Sequence, residues 1–136
     1  MSYMFSSMTN LKMLNITGFN TSKVTNMSYL SYYNEKLMDI KGIEDLDTSK
    51  VTNMSYMFLN NFKLKHLNLN GWETGNVETV RSMFNNCSEL EYVNVRSWDT
   101  HKMTNIGNLF YNCSNLTHID LGGWDTRAVT RTDGMF

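Results

Sequence analysis

The sequence predicts an α/β solenoid, with short parallel strands alternating with short helical or 3-10 segments in a right-handed coil of about five repeats. Two observations carry that expectation. A five-residue phrase returns about every 26 residues, and each interval holds one alternating apolar run followed by one run of helix-like spacing. A fixed period of this length marks units that each bury an apolar side against their neighbours, because one unit cannot bury it alone.

The phrase is Met1-Ser2-Tyr3-Met4-Phe5, and it returns as Met54-Ser55-Tyr56-Met57-Phe58 and Val80-Arg81-Ser82-Met83-Phe84. Ile106-Gly107-Asn108-Leu109-Phe110 and Thr132-Asp133-Gly134-Met135-Phe136 follow, and Met27-Ser28-Tyr29-Leu30-Ser31 is a weaker copy. Residues 1–136 therefore read as one array, with repeats near 1–26, 27–53, 54–79, 80–105 and 106–131 and a partial one at 132–136. Starting and stopping on the same beat, the chain reads as a segment of a longer protein.

Each strand is placed by alternation. In the third repeat Leu67 and Leu69 alternate with polar residues, as one face of a short strand should. Their equivalents are Leu14 and Ile16, Val93 and Val95, Ile119 and Leu121, each run led by Leu11, Leu37, Leu64, Leu90 or Leu116. An aromatic follows at Phe19, Trp72, Trp98 and Trp124, behind a small residue that allows a tight bend. Next comes Asn20-Thr21, Asp47-Thr48, Glu73-Thr74, Asp99-Thr100 or Asp125-Thr126, whose short side chains suit capping. Then Val51, Met54, Met57 and Phe58 stand at helical spacing, about two turns long. The second repeat breaks the pattern, with Leu46 at the aromatic position, Ser31 for Phe and an extra residue between Lys41 and Asp45.

Composition excludes several classes. A formal net charge of −1 leaves no basic patch of the size nucleic-acid binding needs. No apolar run reaches membrane-spanning length and no signal peptide opens the chain, so neither nucleic acid nor membrane insertion is expected. No nucleophile elbow, phosphate-binding loop or HExxH zinc motif occurs, so no enzyme, cofactor or metal is expected and no residue is assigned a catalytic role. Cys87 and Cys113 occupy one repeat position, shared with Met8, and two readings stand: small buried core residues, or a disulfide between neighbouring repeats.

One repeat in particular carries a resemblance. Asp47-Thr48-Ser49-Lys50-Val51-Thr52-Asn53-Met54-Ser55-Tyr56-Met57-Phe58, with Leu-x-x-Leu-x-Leu in each unit, resembles the BspA-type leucine-rich repeats of bacterial surface proteins, also known as DUF285. The resemblance spans the whole chain. It implies a leucine-rich-repeat-like fold, an extracellular or cell-surface location and adhesion to other proteins or cells, with no catalytic residues to transfer. Trp or Phe stands where ordinary leucine-rich repeats carry Asn, so an Asn ladder is not expected there.

Five stacked strands would make a sheet roughly 20–24 Å wide. Its solvent face would carry Met13, Asp39, His66, Tyr92 and His118 in one row and Asn15, Lys41, Asn68, Asn94 and Asp120 in a second, with Arg96 in a third. Varied side chains on a repeated frame suit recognition, so Asp39, His66, Asn68, Tyr92, Asn94, Arg96, His118 and Asp120 are the candidate binding residues. Solvated strand positions under no constraint are the plain alternative. His66 and His118 lie two units apart, too far for one zinc. The row Asp47, Glu73, Asp99 and Asp125 suits either turn capping or calcium, and the Thr row either capping or a hydroxyl ladder of the ice-binding kind.

The expected function is a non-enzymatic module for cell-surface adhesion or protein interaction, taking an extracellular protein or glycan on the strand face. The alternative is a structural spacer that associates end to end.

Overall fold

A computed structural model describes all of residues 1–136. Four strands are present: β1 Met13–Asn15, β2 Asp39–Lys41, β3 His66–Leu67 and β4 Tyr92–Val93. β1 pairs in parallel with β2, placing Met13 opposite Asp39, Leu14 opposite Ile40 and Asn15 opposite Lys41. β3 pairs in parallel with β4, placing His66 opposite Tyr92 and Leu67 opposite Val93. These are two separate two-stranded sheets, and the fifth repeat has no strand. There is no helix. The expected α/β solenoid, with its coil of strands and short helices and its single five-stranded sheet, is therefore overturned.

Backbone conformation explains the missing helices. Tyr56, inside the run of helical spacing, and Asn60, two residues beyond it, both have φ of 62°. A right-handed helix needs φ near −63°, so neither residue can be interior to one. The same two positions are left-handed in every complete repeat: Tyr3 and Ser7, Tyr29 and Tyr33, Ser82 and Asn86, Asn108 and Asn112. Their N–H groups turn outward from the local chain. Those of Met54, Tyr56, Phe58 and Asn60 donate to the carbonyls of Thr79, Arg81, Met83 and Asn85 in the next repeat, at 2.9–3.0 Å. The apolar spacing thus marks which side chains of a tight turn face the core.

The strands are short for a similar reason. The side-chain oxygens of Asn15, Asn68, Asn94 and Asp120 accept the N–H two residues on, from Thr17, Asn70, Arg96 and Gly122, at 2.9–3.2 Å. That bond closes an Asx turn and takes the next ladder donor away from the neighbouring strand. A third edge is paired through single parallel bridges, Asn26 with Asn53, Asn53 with Thr79, Thr79 with Asn105 and Asn105 with Arg131.

Between the edges lies one core cluster from Leu14 to Phe110. Equivalent aromatics stack: Phe58, Phe84, Phe110 and Phe136 at 5.4–6.0 Å between centroids, Trp72, Trp98 and Trp124 at 6.1 and 6.4 Å. Leu37, Leu64 and Leu90 are fully buried, while Leu11 and Leu116, at the two ends, are half-buried. Phe19 is 40% exposed and tilts toward Phe5, without joining the Trp stack.

The second repeat is irregular, as its sequence indicates. Its extra residue separates β2 from β3, and the chain turns there at Gly42, with φ of 82°. A Cβ on Gly42 would lie 2.6 Å from the Thr17 nitrogen and 2.7 Å from its Cα. Gly18 has a similar φ of 81° but open space around it. Gly42→Ala therefore costs at least about 2 kcal/mol of unfolding free energy, from backbone strain and collision together. Gly18→Ala costs about 1 kcal/mol, from strain alone. Urea titration of both variants checks this, and equal losses would show that the Thr17 contact is unimportant.

Candidate functional site

The eight candidate residues divide between two clefts on the strand side. Tyr92, Asn94, Arg96, His118 and Asp120 line one of about 280 Å³, floored by Val93, Val95 and Ile119. Asp39, His66 and Asn68 line another of about 300 Å³ with Lys41, Ile43 and Glu44. The parallel register positions them. A parallel pair sets equivalent residues side by side, and alternation turns Leu67 and Val93 inward while His66 and Tyr92 face out. His118 and Asp120 sit in the fifth repeat on non-strand chain, where a strand was expected.

The larger group is held by polar contacts. Arg96 Nη1 stands 3.1 Å from Asp120 Oδ2, with both side chains largely solvated. Asn94 Nδ2 donates to Asn70 Oδ1 at 2.7 Å. Tyr92 is 51% exposed and its ring stacks on no other aromatic. In the smaller group, His66 Nε2 lies 3.9 Å from Glu91 Oε2, a carboxylate that also takes Lys65 at 3.3 Å. Asn68, Asn94 and Asp120 each close one of the Asx turns above, so these three shape the surface as well as line it. His66 and His118 belong to no cluster of three or more metal-ligating side chains.

Three of the four acids in the row, Asp47, Asp99 and Asp125, cap turns, and the Glu73 carboxylate makes no such bond. Asp47 Oδ1 accepts from the N–H and the hydroxyl of Ser49, which hold its carboxyl below the usual range. Asp99 is lowered by its bonds to His101. Arg127 clasps Asp125 through Nε and Nη2 and brings it down to about 2. Four of the five Thr in that row face inward: Thr21, Thr48, Thr74 and Thr100 are buried and donate to the carbonyls of Asp47, Glu73, Asp99 and Asp125 one repeat on, at 3.0–3.1 Å, while Thr126 is exposed. A hydroxyl buried and bonded in this way is not part of a surface ladder.

Two arrangements escaped the sequence reading. Tyr3, Tyr29 and Tyr56 stack at 4.4 and 4.6 Å on the turn edge, opposite in role to the strand side, and Arg81 lies 5.9 Å over Tyr56. Tyr in the third place of three successive phrases was the available signal. The second is an inward polar column: Asn34 donates to Phe5 O, Asn61 to Ser31 O, Cys87 to Phe58 O and Cys113 to Phe84 O. Asn34 and Asn61 share the cysteine position, a substitution the sequence displays openly.

This geometry defines a class: a repeat protein whose successive units are joined edge to edge by parallel backbone bonds and in-register aromatic stacks. Residues 1–113, and again 60–136, match the family described as Mycoplasma protein of unknown function, DUF285, and the chain belongs to that family. No curated protein and no solved structure matches it.

Cys87 and Cys113 are free thiols. Burial raises both, Cys113 to about 12 from its ordinary 9.0 and Cys87 well above 9.0. A raised folded value means the fold favours the neutral thiol. The stability tied to it is whole below pH 9 and is lost as pH rises from there toward 12, when the unfolded thiols ionise and the folded ones do not. Each thiol contributes a slope of about 1.4 kcal/mol per pH unit in that window. Urea titrations from pH 8 to 11 on wild type and Cys113→Ala check the point: the variant's curve should fall less steeply, and parallel curves would contradict it.

Proposed function

We propose that the chain is a non-enzymatic interaction module of the BspA-like surface-protein type, binding an extracellular protein or glycan on its strand side. The observation that carries this reading is the contrast between rows. Inward positions repeat Leu, Ile and Val, whereas the outward row runs Met13, Asp39, His66, Tyr92 and His118, exposed in every repeat. A frame held by inter-repeat bonds presents those varied side chains at fixed spacing, which lowers the ordering cost of binding. Tyr92 beside the Arg96–Asp120 pair supplies an aromatic anchor and a charged fork, the residue types that concentrate binding energy at interfaces.

A second reading, end-to-end self-association as a spacer, draws support from the backbone bonds that join one repeat to the next, a pattern that a second copy would continue.

The test is a screen of the monomeric chain against matrix proteins and glycans, with His66→Ser/Tyr92→Ser/Arg96→Ser run alongside. The triple variant is expected to keep the wild-type circular dichroism spectrum and lose at least about tenfold in affinity, since each anchor is worth on the order of 1–2 kcal/mol. Binding undiminished in the variant would remove the strand side. Mass that grows with concentration, together with no ligand, would favour the spacer.

A further inference from the structure

The cysteines were placed by the repeat, and their surroundings fix their mutual position closely. The residue before each is bonded across the repeats: Asn86 N–H donates to Tyr111 O at 2.8 Å, and Asn112 Nδ2 donates to Asn86 Oδ1 at 2.9 Å. So is the residue after: Ser114 Oγ donates to Ser88 O, and Asn115 N–H donates to the same carbonyl, both at 3.2 Å. The bonds on both sides set Cys87 and Cys113 side by side in adjacent repeats, an arrangement for which parallel-paired chain has a spacing of about 4.8 Å. Disulfides form over roughly 4.4–6.8 Å. The two side chains also point the same way, since each thiol donates to the carbonyl of a Phe 29 residues earlier. At the other repeats this column holds Met8, Asn34 and Asn61, so the fourth and fifth repeats are the one neighbouring pair with two thiols.

We propose that Cys87 and Cys113 are an oxidisable pair, closed by a small-molecule disulfide such as oxidised glutathione into a covalent staple between the fourth and fifth repeats. Cys113, only partly buried, is the point of entry; Cys87 is fully buried. The Cys113 thiol gives up its proton, and its thiolate attacks one sulfur of the oxidant. A mixed disulfide forms and the first glutathione thiolate leaves. Cys87 then loses its proton and attacks the Cys113 sulfur, forming the protein disulfide and expelling the second glutathione. Two protein thiols are oxidised and one glutathione disulfide is reduced to two thiols. Each thiol exchanges its hydrogen bond to a Phe carbonyl for the new bond, while the backbone bonds at residues 86 and 88 hold the register.

The experiment incubates the folded full chain with excess oxidised glutathione in alkaline buffer over days, because burial leaves only a small thiolate fraction at Cys113, then blocks free thiols and digests with trypsin without reductant. Peptides 82–96 and 103–127 are expected to emerge joined, and the intact monomer to be lighter by two hydrogens. The joined chain should melt above the reduced chain. Cys87→Ser, treated in parallel, should instead retain glutathione on Cys113. A wild-type chain that likewise stops at the Cys113 adduct overturns the proposal. So does bridging that appears only between chains or only in denaturant, or a joined chain that melts below the reduced one.

Discussion

Hydrogen bonding of each turn to the next repeat is the constraint on which everything else in this molecule rests. A backbone N–H removed from water must find a partner, and a helix would satisfy that need within its own segment. Here the left-handed residues at two places in every turn aim alternate N–H groups along the array, so the partner is the next repeat. The bond fixes register as well as satisfying a donor. Once Tyr56 is bonded to Arg81 and Phe58 to Met83, Phe58 must lie over Phe84 and Trp72 over Trp98. The aromatic stacks are thus a consequence of the backbone ladder, and their burial in turn keeps water from competing for it.

Side-chain polar groups complete the scheme. Each repeat bends where an Asn or Asp accepts the N–H two residues ahead, and each inward Thr hydroxyl reaches a carbonyl of the next repeat. A chain without proline makes many of its bends in this way, and others at left-handed residues such as Gly42 and Tyr56. The abundance of Asn, Asp, Ser and Thr is therefore structural. Among the outward residues, Asn68, Asn94 and Asp120 are partly claimed by this duty, whereas Tyr92, His66 and His118 close no Asx turn of this kind, which makes them the freer candidates for recognition.

The second repeat shows how much deviation the ladder absorbs. Ser31 replaces the stacked Phe and lies buried, its hydroxyl bonded to Asn34, while its carbonyl takes Asn61. The inserted residue breaks the strand pairing between β2 and β3, yet the buried Ile43 carbonyl accepts the Trp72 indole N–H at 3.0 Å. The break leaves the turn edge intact: Tyr29 and Ser31 still donate to Ser55 and Met57. Of the two clefts on the strand side, one spans this discontinuity between β2 and β3, and the other lies on the fourth and fifth repeats. The proposed staple joins the two repeats that frame the second cleft.

The sequence by itself determined the period, the inward rows and the odd second repeat. Side-chain identity records burial directly, and burial recurs at Leu67, Trp72, Val77, Met83 and their equivalents in the inner repeats, whereas at the N-terminal end Met4 and Phe19 are exposed. For the row Asp47, Glu73, Asp99 and Asp125 it offered turn capping beside calcium, and the capping that Asp47, Asp99 and Asp125 perform was legible because that duty is local, between residues two apart. What it left open was where each backbone donor goes. Val51, Met54, Met57 and Phe58 carry the same apolar spacing whether their N–H groups bond within the segment or to the next repeat. Left-handed φ at Tyr56 and Asn60 decides between the two, and Tyr has no local preference that announces it. Strand length was hidden for a related reason, since Leu67 and Leu69 alternate whether or not an Asx turn at Asn68 ends the pairing. Those choices belong to contacts about 26 residues distant, and only the tertiary structure makes them.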